Sequence, residues 1–291
     1  MKKYILYNPH AGEDKGEDKI KTINSLYSIH ELVHIDITSL ENFDDFFSSI
    51  EPDADVILCG GDGTLNHFIN DIDGVDIKNN VYYYASGSGN DFLHDLGKDN
   101  GAEPFLINDY IEKFPTVYID GVKRRFVNGT GYGLDGFVCE MGNKKRGGKK
   151  KKINYTWLAL KALLYAYKPR NAAVILDGVE KRFEKVWLTP TMKGKFFGGG
   201  MKIAPTRDRE DDDLSVVVVH SCPRLRLLTI FPTIYGGTHI KYKKYVEIFS
   251  AKKVTITYDE PCAMQIDGET ILDVKSYTAM TAEKAREKLK V

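Results

Sequence analysis

Three segments in the first 120 residues have the composition of phosphate-binding loops. They are residues 8–12 (NPHAG), 60–66 (GGDGTLN) and 87–92 (GSGNDF). Glycine lets the backbone approach a ligand closely, and the N–H groups at the start of a following helix favour a phosphate group. Each segment alone could be an ordinary tight turn, but the three together predict one anion-binding site.

The nucleotide-binding motifs of several other folds are absent from the sequence. It contains no G-x-x-x-x-G-K-[ST] loop, and residues 87–89 lack the third glycine of a dinucleotide fingerprint. The motif set of the protein kinases is absent as well. Phosphate binding in this chain therefore belongs to another class.

The elements that must position these loops alternate between strands and helices. Short apolar segments predict four buried strands, and apolar residues at helical spacing predict two helices between them. The strands are at 3–7, 33–37, 56–59 and 81–85, and the helices are at 19–28 and 43–50. This alternation predicts a parallel sheet, in which ligands bind beyond the carboxyl ends of the strands. Each of the three loops begins within two residues of the end of one of these strands.

The pattern becomes mainly antiparallel β after about residue 125. Asp177-Gly178 separates two strand-like segments, 172–176 and 181–188, as a tight hairpin turn does. Further strands are predicted at 214–220, 253–258 and 263–266, and helices at 153–167 and 281–289. We therefore expect an α/β domain at 1–125 and a β-rich domain at 126–279.

The composition is that of a globular protein with balanced charge. Among 291 residues, 41 are basic and 41 are acidic, which argues against binding to nucleic acid. The four cysteines form no C-x-x-C pair, and no segment approaches the roughly 18 apolar residues of a membrane span. The chain start has too few apolar residues for a signal peptide. These features predict a cytoplasmic protein.

The motifs, in this order, resemble those of the diacylglycerol kinase catalytic domain family, which includes sphingosine kinases and bacterial lipid kinases. The resemblance begins with Asn8-Pro9-x-x-Gly12, GGDGT at 60–64 and Gly87-x-x-Asn90-Asp91-Phe92. It continues with NGTGYGLD at 128–135, GGGM at 198–201 followed by Ala204-Pro205, and QIDGE at 265–269. It therefore covers nearly the whole chain.

The resemblance implies a Rossmann-like first domain and a β-sandwich second domain with the active site in the cleft between them. It also implies that a C-terminal helix, 280–291, packs back on the first domain. ATP would bind the loops of the first domain, where Ser88 replaces the usual Thr of the family. The implied ATP contacts are Asn8, Pro9, His10, Ala11, Gly12, Thr38, Gly60, Gly61, Asp62, Gly63, Thr64, Leu65, Asn66, Ser88 and Asn90.

Three aspartates are candidates for holding Mg²⁺ together with ATP. Asp62 and Asp91 lie in loops where bare carboxylates would repel phosphate, so a Mg²⁺ ion bound directly or through water would explain their presence. Asp120, after the strand-like segment 117–119, is the third candidate. The alternatives are helix N-capping for Asp62 and Asp91 and an ordinary turn for Asp120.

Phosphoryl transfer also needs a base for the incoming hydroxyl group. The resemblance assigns this role to Asp267, with Glu269 as the alternative, and makes Asp62 a further catalytic residue. An ordinary Asp-Gly hairpin turn at 267–268 is the competing interpretation of the same residues.

A second, structural Mg²⁺ site is implied in the acidic loop 205–214. Its ligands would be the side chain of Asp211 and the backbone carbonyls of Asp208 and Asp213, which are oxygen ligands that suit Mg²⁺ or Ca²⁺. Asp212 stands where the family usually has Gly. A solvated acidic turn is the alternative.

A basic segment of seven Lys and Arg residues among nine runs from Lys144 to Lys152, directly before the predicted helix 153–167. Near an anionic bilayer each basic residue contributes about 1 kcal/mol, so this segment could bind the protein to an anionic membrane surface. A solvated loop is the alternative.

The resemblance implies an ATP-dependent lipid kinase, peripherally associated with the membrane, and homodimers occur in the family. The γ-phosphoryl group would pass to a lipid hydroxyl, most simply that of diacylglycerol, to give phosphatidic acid. An NAD kinase-like enzyme is one alternative, but such enzymes normally carry Asn-Glu where this chain has Asn66-His67. A catalytically weak lipid- or nucleotide-binding protein is the other, and His67 and Asp212 favour it.

Overall fold

The computed structural model describes residues 2–9, 16–27, 29–146, 155–283 and 285. The chain divides into two compact units, Met1–Lys113 and Phe114–Val291.

The first unit is an α/β unit built on one five-stranded sheet with the order β2-β1-β3-β4-β5. Strands β1 to β4 are mutually parallel, and the short β5 is antiparallel to β4. Its elements are β1 Lys2–Tyr7, α1 Gly16–Leu26, β2 Glu31–Asp36, a 3-10 helix Ile37–Ser39, α2 Phe43–Ser49, β3 Asp55–Gly60, α3 Asp62–Asp71, β4 Asn80–Ala85, α4 Asp91–Asp95, β5 Phe105–Leu106 and α5 Asn108–Lys113. The predicted parallel sheet is confirmed.

The central strands of this sheet are apolar because both of their faces are covered. Every residue of β3 (DVILCG) is buried, as expected inside a parallel sheet. Ile5, Leu6, Ile57 and Leu58 are fully buried. Since β1, β3 and β4 are parallel neighbours, their carboxyl ends meet at one edge, and the segments that follow these strands start there.

The second unit contains a ten-stranded antiparallel sheet with the path β7-β6-β15-β14-β8-β11-β12-β10-β9. Because β9 also pairs with β14, the part of the sheet from β14 to β9 closes on itself, and β13 pairs with β12. The elements are β6 Thr116–Ile119, β7 Val122–Arg125, β8 Gly129–Tyr132, α6 Leu134–Arg146, α7 Tyr155–Lys161, a π-helical turn Ala162–Ala166, β9 Arg170–Leu176, β10 Val179–Leu188, β11 Thr191–Met192, β12 Leu214–His220, α8 Arg224–Ile230, 3-10 helices Phe231–Ile234 and Thr238–Lys241, β13 Val246–Ala251, β14 Lys253–Ile266 and β15 Glu269–Met280.

Strand β12 shows how this sheet separates two cores. Val216 and Val218 pack in one apolar cluster with residues of β9, β14 and β15. Val217 and Val219 point to the opposite face and pack with residues of α6, α7 and α8. The run of four valines is therefore buried on both faces, and the predicted mainly antiparallel β domain is confirmed.

The division between the units falls between Lys113 and Phe114, twelve residues before the expected boundary at 125/126. The reason is the β6–β7 hairpin, in which β6 pairs with β15 of the second unit. The expected C-terminal helix, 280–291, lies mostly outside the described residues, and Met280 is the last residue of β15.

Among the residues that the structure describes, we find no helix with both the length and the apolar composition needed to span a membrane.

Candidate active site

Two glycines bring the second and third predicted phosphate loops into backbone contact at the carboxyl edge of the first unit's sheet. A Cβ atom on Gly87 would lie 2.5 Å from the Cα of Gly61, and one on Gly61 would lie 2.9 Å from the Cα of Gly87. The N–H of Ser86 also donates to the carbonyl of Gly60 at 2.8 Å. Since real Cβ atoms do not approach other atoms this closely, both positions require glycine.

The start of α3 is open for an anion. Its N-cap is Gly61, which has no side chain to accept a hydrogen bond from the first N–H groups of the helix. Those groups carry the positive end of the helix dipole, which favours phosphate. The GGDGT segment therefore lets a phosphate group come close to the backbone at Gly61, and it leaves the first N–H groups of α3 without a side-chain cap.

Asp62 connects the two loops. Its Oδ2 accepts from the N–H of Asp91 at 2.9 Å, and its Oδ1 accepts from the N–H of Phe92 at 3.0 Å. The carboxylate thus caps α4, whose own N-cap residue, Asn90, is left-handed (φ 51°) and forms no side-chain cap. Capping is the alternative that we considered for Asp62, but the capped helix is a neighbouring one.

Asn90 has one buried oxygen with an unmet hydrogen-bonding capacity. Its Nδ2 donates to the carbonyl of Gly87 at 3.0 Å and to Oδ1 of Asn100 at 2.8 Å. No donor in the described chain reaches its Oδ1. That oxygen lies beside Gly87, 2.9 Å from where a Cβ would stand, so it can accept from a ligand or bind a cation.

The other predicted ATP contacts differ in their surroundings, and three of them lie outside the described residues. Thr38 follows β2, and its N–H and hydroxyl both donate to Oδ1 of Asp36. Asn8 and Pro9 follow β1 directly, whereas His10, Ala11 and Gly12 lie outside the described residues. Gly63 and Ser88 lie in the two contacting segments. On α3, Thr64, Leu65 and Asn66 are buried.

His67, which differs from the usual residue of the family, lies on the solvent-exposed face of α3. His67 is exposed, and its predecessor Asn66 is buried.

Asp267 combines the two interpretations that the sequence allowed. It forms the two-residue turn between β14 and β15 with Gly268, and both have positive φ values, 45° and 94°. Its carboxylate is also held by three backbone N–H groups, which lie 2.5, 2.9 and 3.0 Å away on Val127, Asn128 and Gly129. These bonds fix the orientation of the carboxylate.

The remaining acidic candidates of the second unit lie in turns or on the surface. Asp120 forms the β6–β7 turn with Gly121 and has a φ of 49°, which is the alternative considered for it. Glu269, the first residue of β15, is exposed.

The acidic loop 205–214 contains buried positive charges that the sequence analysis missed. Arg207, Arg209 and Lys193 are only 3%, 4% and 5% exposed. Arg207 forms an ion pair with Asp213 and donates to the carbonyl of Asp211 at 2.8 Å. Burial, followed by the charges of the two arginines, lowers the pKa of Lys193 to about 8. The arginines were visible within the acidic run, but their burial was not.

Two of the three expected ligands of a structural Mg²⁺ have neighbours within this loop. The Asp211 carboxylate lies 3.8 Å from the Arg207 guanidinium, and the carbonyl of Asp208 accepts from the N–H of Asp211 at 3.3 Å. Within the described ranges, no three or more His, Cys, Asp or Glu side chains are grouped as a metal site. The expected site would use one side chain and two backbone carbonyls, so the structural Mg²⁺ stays a prediction.

A buried carboxyl group in the NGTGYGLD segment was also missed. Both carboxyl oxygens of Asp135 are buried, and desolvation raises the pKa of this group to about 6. The N–H of Gly136 and the side chain of Gln265 oppose this rise. The sequence identified the motif, but it gave no sign that the carboxyl group of Asp135 is buried.

The described part of the basic segment lies at the end of α6. Lys144 and Lys145 are exposed, and Lys144 pairs with Glu140 one turn earlier. Residues 147–152 lie outside the described residues. On the following helix, Trp157 and Tyr165 are 59% and 83% exposed.

The chain is similar to known proteins in both units. Residues 2–113 match the family model of the diacylglycerol kinase catalytic domain, and residues 129–283 match that of the YegS C-terminal NAD kinase beta sandwich-like domain. Over 193 residues it is 26% identical to a diacylglycerol kinase of Mycobacterium tuberculosis, a match that covers 64% of this chain and 61% of that protein. The chain therefore spans less than two thirds of that relative's length.

The fold is also that of a solved structure. The crystal structure of a diacylglycerol kinase from Bacillus anthracis aligns with a TM-score of 0.66 at 19% identity, covering 97% of this chain and 94% of that one. Fold and sequence together define a two-domain protein with an α/β first domain and an antiparallel β second domain. The chain belongs to the diacylglycerol kinase catalytic domain family, with a YegS-type C-terminal domain.

Proposed function

We propose that this protein is an ATP-dependent lipid kinase whose first candidate acceptor is diacylglycerol. The observation that supports this best is the contact between Gly61 and Gly87 beside the uncapped start of α3. That arrangement suits the phosphates of a nucleotide. It lies in the unit that matches the catalytic domain of the family.

The two segments that meet at this contact carry side-chain oxygens for the Mg²⁺ that would accompany ATP. The carboxylates of Asp62 and Asp91 and the unpartnered Oδ1 of Asn90 are of the type that Mg²⁺ binds. When bound, the ion would neutralise charge on the phosphates. Asp62 also fixes the position of Asp91 through the backbone hydrogen bond at 2.9 Å.

Asp267 is the proposed general base. In the proposed reaction the lipid hydroxyl oxygen bonds to the γ-phosphorus, the bond from that phosphorus to the bridging oxygen of ADP breaks, and Asp267 takes the hydroxyl proton. Three backbone N–H groups hold its carboxylate in one orientation, which suits a group that must meet a hydroxyl at a fixed angle. Glu269 remains the alternative base.

We also propose that the protein binds anionic membranes peripherally, where its substrate would lie. Lys144 and Lys145 supply exposed positive charge, and Trp157 and Tyr165 supply exposed aromatic side chains. Basic and aromatic residues together favour the interface of an anionic bilayer. Flotation with phosphatidylglycerol vesicles should therefore exceed flotation with phosphatidylcholine vesicles, and Trp157→Ala should reduce it. Equal flotation with both vesicle types would contradict this proposal.

The experiment for the kinase proposal is transfer of label from γ-labelled ATP with Mg²⁺ into mixed micelles. Each micelle carries diacylglycerol, phosphatidylglycerol, undecaprenol or sphingosine, and soluble NAD is included. Asp267→Asn is compared with Asp177→Asn, a matched control because Asp177 forms the same Asp-Gly turn and its carboxylate accepts from the N–H groups of Lys252 and Lys253.

Label in one lipid that is lost in Asp267→Asn and kept in Asp177→Asn would support both the activity and the base. Label in NAD would identify an NAD kinase-like enzyme instead. ATP binding without transfer to any acceptor would favour a nucleotide-binding protein.

A further inference from the structure

We propose that the cation cluster of Lys193, Arg207 and Arg209 takes the place of a structural divalent cation in the second unit. We further propose that Arg209, a member of this cluster, positions residues 127–129, whose backbone N–H groups bind the Asp267 carboxylate. The first part stands on the geometry of the loop alone. The second part rests on the proposed function, because it concerns the proposed base.

The cluster neutralises the acidic loop from inside. The Arg207 guanidinium pairs with the Asp213 carboxylate, and its Nη2 donates to the carbonyl of Asp211 at 2.8 Å. Lys193 Nζ donates to the same carbonyl at 2.7 Å. Two positive groups thus donate to one backbone oxygen of the loop, in sequence between the carbonyls of Asp208 and Asp213 that a metal ion would be expected to use.

A divalent cation in this loop would meet these charges. Arg207 and Lys193 are buried, so repulsion from an added ion would be weakly screened. The carboxylate of Asp211, the expected side-chain ligand, already lies 3.8 Å from Arg207. The loop therefore has its cations built in, and an added metal ion would have to compete with them for the same oxygens.

Arg209 connects the cluster to the segment that binds the proposed base. Its Nη1 donates to the carbonyl of Val127 at 2.7 Å, and its Nη2 donates to Oδ1 of Asn128 at 2.8 Å. The backbone N–H groups of Lys193 and Gly194 both donate to the carbonyl of Asn128.

The peptide groups of this segment are therefore held from two sides. Their carbonyls and the Asn128 side chain accept from Arg209 and from the backbone of Lys193 and Gly194, while the N–H groups of Val127 and Asn128 donate to Asp267. Arg209 is a positioning residue, because its hydrogen bonds to Val127 and Asn128 reach Asp267 through these peptide groups.

The first test measures melting of the full-length protein without nucleotide, in EDTA and in Mg²⁺, together with metal analysis after gel filtration. We expect the same Tm in both buffers and no bound Mg²⁺. In Arg207→Ala, which leaves Asp211 and Asp213 without this partner, Mg²⁺ should raise the Tm. The proposal that the cluster replaces a metal ion would be overturned by a wild-type Tm that falls in EDTA and recovers with Mg²⁺. It would also be overturned if Mg²⁺ left the Tm of Arg207→Ala unchanged.

The second test measures hydrogen exchange in a peptide that covers residues 127–129, with β12 as the internal reference. Arg209→Met should make this peptide exchange at least about tenfold faster, the effect of about 1.4 kcal/mol, while β12 is unchanged. Arg209→Lys, which keeps the charge and one donor direction, should lie between the two, and Arg182→Met is the control on an exposed arginine. Unchanged exchange in Arg209→Met would overturn the positioning role.

Kinetics then test the connection to catalysis. Arg209→Met should lower kcat about tenfold or more and leave KM for ATP unchanged, with partial recovery in Arg209→Lys. A rise in KM with an unchanged kcat would contradict positioning of the base. If the wild type lacks kinase activity, the proposed function fails, whereas melting and exchange still decide the inference.

Discussion

The backbone N–H of Asp91 donates to Oδ2 of Asp62 at 2.9 Å and thereby joins the GGDGT loop to the start of α4. The N–H of Phe92 donates to the other carboxylate oxygen at 3.0 Å. One side chain therefore sets the relative position of two loops that we propose bind ATP. The local stability of this edge and its affinity for nucleotide should both depend on Asp62.

Asp62→Ala should lower the free energy of unfolding by about 1–3 kcal/mol, because two N–H groups lose their acceptor. It should also weaken Mg-ATP binding at least about tenfold, as expected from the loss of a few kcal/mol of positioning and charge. Asp62→Asn keeps one acceptor oxygen and should be intermediate in stability. Denaturant unfolding and calorimetric titration measure the two effects, with exposed Asp53→Ala as the control. Wild-type stability in Asp62→Ala would show that the cap is unimportant.

Gly87→Ala should disturb the contact between the loops. The added Cβ would meet the Cα of Gly61 at 2.5 Å and Oδ1 of Asn90 at 2.9 Å, so a backbone must move. We expect a loss of about 1–3 kcal/mol in stability and weaker ATP binding. Gly236→Ala is the matched control, because its Cβ would find its nearest neighbour 4.0 Å away. Equal behaviour of the two variants would mean that the loops separate easily.

The sequence predicted what depends on local pattern. Apolar runs identified the four parallel strands, and the motifs that follow them located the loops at one edge of the sheet. The Asp-Gly pair at 177–178 correctly predicted the β9–β10 hairpin.

The parts that were missed depend on contacts between distant positions. Asp62 caps a helix 29 residues further along, and Asp267 reaches N–H groups about 140 residues earlier. Arg209 likewise bonds Val127, 82 residues away. Spacing in the sequence carries no information on such pairs. The family resemblance could assign a role to a side chain, but it could not identify the hydrogen-bond partners of that side chain.

The buried ion pair of Lys3 and Asp55 should stabilise the first unit at the start of β1 and β3. Both side chains are less than one tenth exposed. Lys3→Met leaves the Asp55 carboxylate without its ion-pair partner and should cost about 3–5 kcal/mol, whereas the double variant with Asp55→Leu should recover most of the loss. Lys2→Met removes the exposed pair with Glu51 and should have a much smaller effect. Denaturant unfolding of all variants measures this, and a small loss in Lys3→Met would contradict the argument.

Asp135 should make stability depend on pH in a defined direction. Its folded pKa of about 6 lies above the usual 3.8, so between these values the folded protein binds the proton more strongly than the unfolded chain does. The contribution of this group to stability is therefore full below about pH 4 and falls as the pH rises to about 6. Above that pH the charged, desolvated carboxylate costs up to about 3 kcal/mol.

Asp135→Asn removes this dependence and keeps the size of the side chain. The stability of the variant relative to the wild type should therefore rise by up to about 3 kcal/mol from pH 4 to pH 7. Denaturant unfolding at several pH values measures the difference, and Asp53→Asn is the control for removing an exposed carboxyl group. A constant difference for Asp135→Asn would mean that this carboxyl group titrates in the folded protein as it does in the unfolded chain.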